Sequence, residues 1–283
     1  MEQAVVKKIV VLENDVECLC KDITEPIESS PDFHNHDGYE ILLILGGTIN
    51  FYTESGGMQL VRGDLVCICE YDFHRADLLT EDRYDRIVIN IRKERLVRAS
   101  GEDMDLTGCF CQYPAPIQMV HLSEKEIAEL EGYAHLLQES TKRNKPGDEI
   151  LEDAFLKLIM VNLIRRIRDY KAPRRMEIMP ELVVETLSYI ESHLTEEITL
   201  KKLEKHVHHN GTYLSRCFKR ITGITLQQFI IAKKITFCCK LLREGYPPGD
   251  VCYMAGFNDY SNYSRTFSKQ VGMSPKRYQI ENR

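Results

Sequence analysis

No stretch of this 283-residue chain approaches the roughly 20 consecutive apolar residues of a membrane-spanning helix. The opening MEQAVVKKIVVLENDVE interrupts its short apolar run with acids, unlike a secretory leader. The expectation is a soluble, cytoplasmic protein with no membrane partner. Cys-x-x-Cys is also missing, although there are ten cysteines, among them Cys18/Cys20, Cys67/Cys69, Cys109/Cys111 and the adjacent Cys238/Cys239. With no sign of an oxidising compartment they are expected as reduced thiols that pack as small apolar groups. Because alternate residues of a strand share a face, the Cys-x-Cys pairs leave a soft metal site or a redox sensor as the alternative. Catalytic groupings are scarce too: HNHDGYE, residues 34–40, is the one obvious cluster.

What is present divides into two parts. A chain of 283 residues exceeds the usual size of one core, so two domains are expected. The net charge of −6 is unevenly spread: residues 181–283 carry 15 Lys+Arg against 10 Asp+Glu, and residues 1–180 carry 22 against 33. A basic tail on an acidic front suits a C-terminal half that meets a polyanion and an N-terminal half that does not.

To about residue 98 the pattern is β. Short runs rich in Ile, Leu, Val and Phe are punctuated by Gly46-Gly47, Ser55-Gly56-Gly57 and Arg62-Gly63-Asp64, the spacing of a sandwich or small barrel. The period then changes to that of helices. SEKEIAELEGYAHLLQ opens with Ser123 and Glu126 as a capping box and predicts a helix over about 123–140. After Lys145-Pro146-Gly147, a second helix over about 148–170 repeats apolar residues at Ile150, Leu151, Ala154, Phe155, Leu158, Ile159, Leu163 and Ile167. That stripe is wide enough to serve a partner helix as well as its own domain, so charged substitutions at Leu158 or Leu163 are expected to break a dimer or the fold. KAPRRMEIMP then marks a linker, taken as 173–180.

The tail contains an internal repeat. YLSRCFKRITGIT (213–225) and NYSRTFSKQVGMS (262–274) align at an offset of 49, pairing Ser215/Ser264, Arg216/Arg265, Phe218/Phe267, Arg220/Lys269, Gly223/Gly272 and Thr225/Ser274. On a helix Leu214 and Phe218 share a face, as do Tyr263 and Phe267, while Ser215 and Arg216 project from the opposite side. Each copy follows a shorter amphipathic helix and a tight turn, the helix-turn-helix plan.

ITLKKLEKHVHHNGTYLSRCFKRITGITLQQFI with AGFNDYSNYSRTFSKQVGMSPKRYQ resembles the DNA-binding domain of AraC/XylS-type transcription regulators. The resemblance covers roughly the last 100 residues, Gly256-Phe257 through Phe267, Gly272 and Pro275 included. It implies two helix-turn-helix units joined by a long helix, here about Leu226 to Glu244. Departures are Lys234 in place of the usual arginine, Glu204 and Cys252 in place of small alanines, and Gln279 in place of an arginine. Carried across position by position, the resemblance implies a groove-facing set of Thr212, Ser215 and Arg216 in the first unit and Tyr260, Ser261, Ser264 and Arg265 in the second. The arginines offer forked donors that suit guanine O6 and N7. Lys219, Arg220 and Lys269, one turn on, are placed to meet phosphates. His206, His208 and His209 are read as solvated or phosphate-contacting, since a turn between such helices makes a poor metal cage.

HNHDGYEILLILGG fits the first cupin motif through His34, His36, Glu40 and Gly47, and GDLVCICEYDFH resembles the second through Gly63 and His74. Here Cys69 and Tyr71 stand at the second motif's proline and glycine, and Glu28 at the first motif's leading glycine. His34, His36, Glu40 and His74 are therefore candidates for an effector site or a metal site. Three imidazoles and a carboxylate suit zinc, iron, nickel or manganese; a metal-free effector pocket and purely structural histidines stay open. In an extended strand His34 and His36 point the same way, and a reversal at Asp37-Gly38 would bring Glu40 back to them.

The expected class is thus α+β and multidomain. Residues 1–172 form a cupin-like β-barrel with trailing helices, and residues 181–283 an all-α double helix-turn-helix. The expected function is a non-enzymatic, sequence-specific transcription regulator that requires no cofactor. Its expected partners are double-stranded DNA, a small-molecule effector, a second copy of the chain and RNA polymerase. A metal-dependent cupin oxygenase or isomerase fused to a DNA-binding module is the alternative. A third reading is a ligand-independent DNA-binding protein whose barrel only dimerises.

Overall fold

The computed structural model describes residues 9–21, 32–79, 84–110, 118–143, 145–169 and 177–282. Glu28, Cys111 and residues 173–176 of the expected linker lie outside them.

The N-terminal part runs β1 (Ile9–Val10), β2 (Val16–Lys21), β3 (Asn35–His36), β4 (Tyr39–Ile44), β5 (Thr48–Thr53), β6 (Gly56–Val61), β7 (Asp64–Ile68), β8 (His74–Leu78) and β9 (Arg86–Ile91). Then come α1 (Lys93–Ala99), β10 (Gln118–His121), α2 (Glu124–Arg143) and α3 (Asp148–Asp169). Two antiparallel sheets form, in the orders β10-β7-β4-β9-β2 and β6-β5-β8, with β1 and β3 paired in parallel beside them. The β reading to about residue 98 stopped short, because β10 re-enters at the edge of the larger sheet. Four residues are too few to show a period of two.

Every residue of β4 is buried, as in a strand covered on both faces. Ile41 and Leu43 join Leu130, Ala134, Ile159 and Leu163 in the core between sheet and helices. Leu42 and Ile44 point the other way, to Phe51, Leu60 and Val66 between the two sheets. The same alternation sends Glu40 inward. At the start of α2 the Glu126 carboxylate accepts both the amide and the hydroxyl of Ser123, at 2.6 and 2.7 Å. Thus Ser123 spends its hydroxyl on the carboxylate, a variant of the expected box.

The apolar stripe of α3 splits. Leu163 is 2% exposed and belongs to the domain's own core, whereas Leu158 is 42% exposed and Ile150 74%. Leu163 is therefore no probe of a partner surface. The cysteine reading is also corrected: Cys69 is disulfide-bonded. The other eight described cysteines are free thiols. Strand β7 lies beside the segment of Cys109, whose thiol shares a hydrogen bond with that of Cys67. Sequence separation hid this neighbourhood.

The C-terminal part is helical: α4 (Glu181–Ser192), α5 (Leu200–Val207), α6 (Gly211–Thr222), α7 (Leu226–Arg243), α8 (Pro248–Met254), α9 (Tyr260–Val271) and α10 (Pro275–Glu281). The repeat extends to the helix ends. Helices α6 and α9 both close on a left-handed glycine, Gly223 at φ 78° and Gly272 at φ 90°. Thr225 and Ser274, aligned in the repeat, each cap the following helix by accepting a backbone N–H. Leu214, Phe218 and Phe229 fill the first unit, and Tyr263, Phe267 and Tyr278 the second. Barrel residues complete both cores: Phe33 and Phe73 enter the first, and Ile9 and Tyr71 the second.

Candidate DNA interface and barrel site

The turns that aim α6 and α9 are built by short polar side chains. Asn210 accepts the Thr212 amide at the start of α6, and Asp259 accepts the Asn262 amide at the start of α9. His208 takes a left-handed conformation, φ 53°, to close α5. Glu204, a departure from the family's small residue, accepts the Gly211 amide and ties α5 to α6. Lys234, another departure, donates to the carbonyls of Glu196 and Gly256, both at 3.2 Å, which fixes the second turn against the first unit.

With their backs buried, the helices present Thr212, Arg216, Lys219 and Arg220 from α6 and Tyr260, Ser261, Arg265 and Lys269 from α9 to solvent; Ser215 and Ser264 are half-buried. Arg216 extends over the Tyr213 ring at 5.9 Å, a contact that orders the guanidinium without consuming its donors. Between the units runs a cleft of about 1400 Å³. Thr212, Ser215, Arg216 and Lys219 line one wall, and Asn258 and Asn262 the other. The two asparagines were not among the sequence candidates. Their signal was weak, because asparagine at a helix start reads first as a turn residue. Within the histidine group, His206 packs at a tilt beside Tyr189 at 4.6 Å and His209 beside Tyr213 at 5.7 Å. They do not converge.

In the barrel, the structure brings His34, His36, Glu40 and His74 together. Ligand atoms of the three histidines lie within 4.8 Å of one another. Two distant segments meet through a backbone rung, with His34 N–H donating to His74 O at 3.2 Å and His74 N–H to His34 O at 2.9 Å. A bend at Asp37-Gly38 returns the chain so that Glu40 Oε2 stands 2.9 Å from His36 Nε2 and 3.5 Å from His74 Nε2. The bend needs glycine, since a Cβ on Gly38 would sit 2.7 Å from the Ile91 carbonyl oxygen.

Burial opposes ionisation of Glu40, but the charges of His74 and His36 outweigh it and hold the carboxyl well below its usual range. Burial, then the charges of His74 and His36, pulls His34 down to about 3, so it is a neutral imidazole. His34 Nδ1 lies 2.9 Å from the Asp32 carbonyl and His74 Nδ1 3.0 Å from that of Asp72. Those contacts turn the Nε2 atoms inward. His36 Nδ1 has no hydrogen-bond partner, and His36 Nε2 meets only the Glu40 carboxylate. A buried imidazole left in that state fits a ligand or a metal better than a purely structural role. His34, His36 and His74 would hold such an ion, with Glu40 as the fourth donor.

Tyr71, at the second motif's glycine position, keeps the glycine-like backbone, φ 66°. Its amide donates to the His36 carbonyl at 2.8 Å, and its own carbonyl accepts from Asn35 Nδ2 at 3.1 Å. Its hydroxyl meets those of Tyr278 and the guanidinium of Arg243, both at 2.9 Å. Sequence reasoning treated this residue as a departure; it is an anchor between the barrel and the second unit.

Residues 25–160 match the model of the AraC-like ligand binding domain, and residues 203–280 that of a helix-turn-helix domain. Over 257 residues the chain is 24% identical to an HTH-type transcriptional regulator of Staphylococcus aureus (strain MSSA476), covering 89% of this chain and 32% of that protein. The chain thus spans about a third of that relative's length. The HTH-type transcriptional activator RhaS of Escherichia coli O81 (strain ED1a) is 23% identical over 264 residues, 89% of each chain. A structure of ToxT from Vibrio cholerae aligns with 94% of this chain and 98% of its own, at 13% identity and a TM-score of 0.40.

Proposed function

Since the chain belongs to the AraC family of transcription regulators, with an AraC-like ligand-binding domain and a helix-turn-helix domain, we propose that it binds a specific duplex DNA site through α6 and α9 and that a ligand in the barrel controls this binding. The carrying observation is the pair of exposed faces led by Arg216 and Arg265, on like-capped helices at matching positions of the repeat. A major groove admits one helix, so the two enter successive grooves on one side of the duplex. Lys219, Arg220 and Lys269 then meet phosphates.

The barrel ligand is a small polar molecule or a divalent transition metal. The donor set of three imidazoles and one carboxylate, with His36 Nδ1 lacking a partner, supports the metal. Such an ion would serve as the sensed species or as its anchor. Its relatives are transcription regulators, which supports a binding site without turnover. The exposed Ile150, Leu151 and Leu158 of α3 support a homodimer through that helix, which would double the phosphate contacts. The reading places the protein in the cytoplasm beside DNA and RNA polymerase.

The test is enrichment of duplexes from a random library by the full-length protein. One site should emerge, and Arg216→Ala or Arg265→Ala should each weaken it by about 1–3 kcal/mol while relaxing base preference locally. Unchanged affinity in both folded variants would reject the assignment.

A further inference from the structure

We propose that the barrel sets the pose of the first recognition helix directly, by gripping the C-terminal turn of α6, with Arg75 and the Phe33 amide as positioning groups for DNA recognition. This rests on the reading that α6 contacts DNA.

A helix leaves its last carbonyls without partners inside the helix. In α6 three consecutive ones are satisfied by the other domain. Arg75 Nη1 donates to Arg220 O at 3.2 Å and Ile221 O at 2.7 Å, and the Phe33 amide donates to Thr222 O at 2.8 Å. A guanidinium at a helix C-terminus is also favoured by the helix dipole. The approach is so close that a Cβ on Gly223 would lie 2.2 Å from Asp32 Oδ1 and 3.2 Å from Asp32 Cα. Behind the grip, Phe33 and Phe73, both fully buried, pack on Phe229 at ring distances of 6.0 and 5.2 Å. Phe229 in turn packs on Phe218 of α6 at 5.5 Å.

The gripping residues are chain neighbours of the site histidines. Phe33 precedes His34, and Phe73 and Arg75 flank His74. Successive side chains of an extended chain point to opposite faces. The histidines therefore face the barrel interior while their neighbours face α6 and α7. The rung between His34 and His74 carries both halves of the grip. Any occupant that draws the imidazoles together or apart moves the atoms that hold α6. The second unit is held otherwise, through Tyr71, Tyr278 and Arg243. Among the described residues no backbone donor of the barrel reaches the carbonyls of Lys269, Gln270 or Val271 in the last turn of α9. The grip is asymmetric, so its loss should show in one half of the DNA site.

The experiment repeats the random-duplex enrichment with full-length wild type, Arg75→Ala and Arg75→Lys, and follows hydrogen exchange in residues 217–225. Arg75→Ala should lose base preference in the block of the site that Arg216→Ala also loses. Affinity for the wild-type site should fall roughly threefold to tenfold, as for a lost hydrogen bond or two. The other block and the salt dependence should stay as they are, and exchange in 217–225 should quicken. Arg75→Lys keeps the charge and a multi-donor nitrogen but not the planar fork whose other arm holds Asp77, so it should fall between. Equal weakening of both blocks would reduce Arg75 to a stabilising contact and overturn the proposal, as would no change. If Arg75→Ala does not fold, Arg75→Lys decides by the same criteria. A wild type that enriches no duplex would overturn the DNA-binding reading itself, and this proposal with it.

Discussion

Tyr71→Gly sets two opposed effects against each other at the joint between barrel and DNA-binding part. A non-glycine residue at φ 66° is strained, by about 1–2 kcal/mol, and glycine removes that strain. The ring is 2% exposed. A buried aromatic of this kind removes about 150–250 Å² from water, roughly 4–6 kcal/mol at about 25 cal/mol per Å². Its hydroxyl adds the contacts with Tyr278 and Arg243, about 1 kcal/mol each. Glycine also brings extra freedom to the unfolded chain, about 0.5–1 kcal/mol. Burial therefore wins, and Tyr71→Gly should destabilise the protein by roughly 4–8 kcal/mol, at or above the upper end of large-to-small core changes. Tyr71→Phe keeps ring and strain and should lose about 1–2 kcal/mol. Urea denaturation of the full chain gives the magnitude. Hydrogen exchange in residues 235–243 and 275–282 gives the place, because only loosening against the barrel speeds exchange there. A Tyr71→Gly protein as stable as wild type would refute the anchoring role.

Four further outcomes follow from the same geometry. Burial, opposed by Lys233 and reinforced by Asp72 and Glu191, raises the Glu54 carboxyl to about 7; a raised folded-state value means its stabilising protonation is complete below the ordinary carboxylate range and lost as pH rises through about 7. Stability measured from pH 5 to 8 should therefore decline with a component that Glu54→Gln abolishes, and an identical slope in the variant would contradict it. Leu158→Glu should shift a homodimer toward monomer in sedimentation with little change in melting, whereas Leu163→Glu should unfold the domain by burying an unpaired charge; a folded Leu163→Glu monomer would refute the division of that helix. Lys219→Ala should weaken binding to all duplexes alike and lower the salt slope by roughly one unit, while a sequence-selective loss would move Lys219 from phosphate to base contact. Metal analysis of untagged protein after anaerobic reconstitution should find one divalent ion per chain, lost in His36→Ala with His74→Ala; metal-free wild type would leave the cluster to an organic ligand.

What was legible in the sequence was local. Period 3.6 and residues such as Asn210, Thr225 and Ser274 at helix starts announce the helices and their caps, because each signal lies within a turn of its effect, and the repeat at offset 49 shows the same pattern twice. Spacing alone also put His34 and His36 on one side. What was not legible depends on segments that meet only after folding. Arg75 reads as an ordinary charged strand residue until Arg220 and Ile221 arrive to accept from it. Tyr71 reads as a lost glycine, since nothing local says that Tyr278 and Arg243 will hold its ring while the backbone stays left-handed. The split of the α3 stripe, Leu163 inward and Leu158 outward, needed the sheet in place, as both fit the same helical period.

DNA recognition as proposed puts two helices of one chain in successive major grooves. Methylation interference on the enriched duplex tests it most directly, because a methyl on guanine N7 blocks the major-groove edge that Arg216 and Arg265 would read. Two clusters of interfering guanines are expected on one face, about one helical turn or 10 base pairs apart, one vanishing in Arg216→Ala and the other in Arg265→Ala. A single cluster, or two that respond to the same arginine, would contradict it.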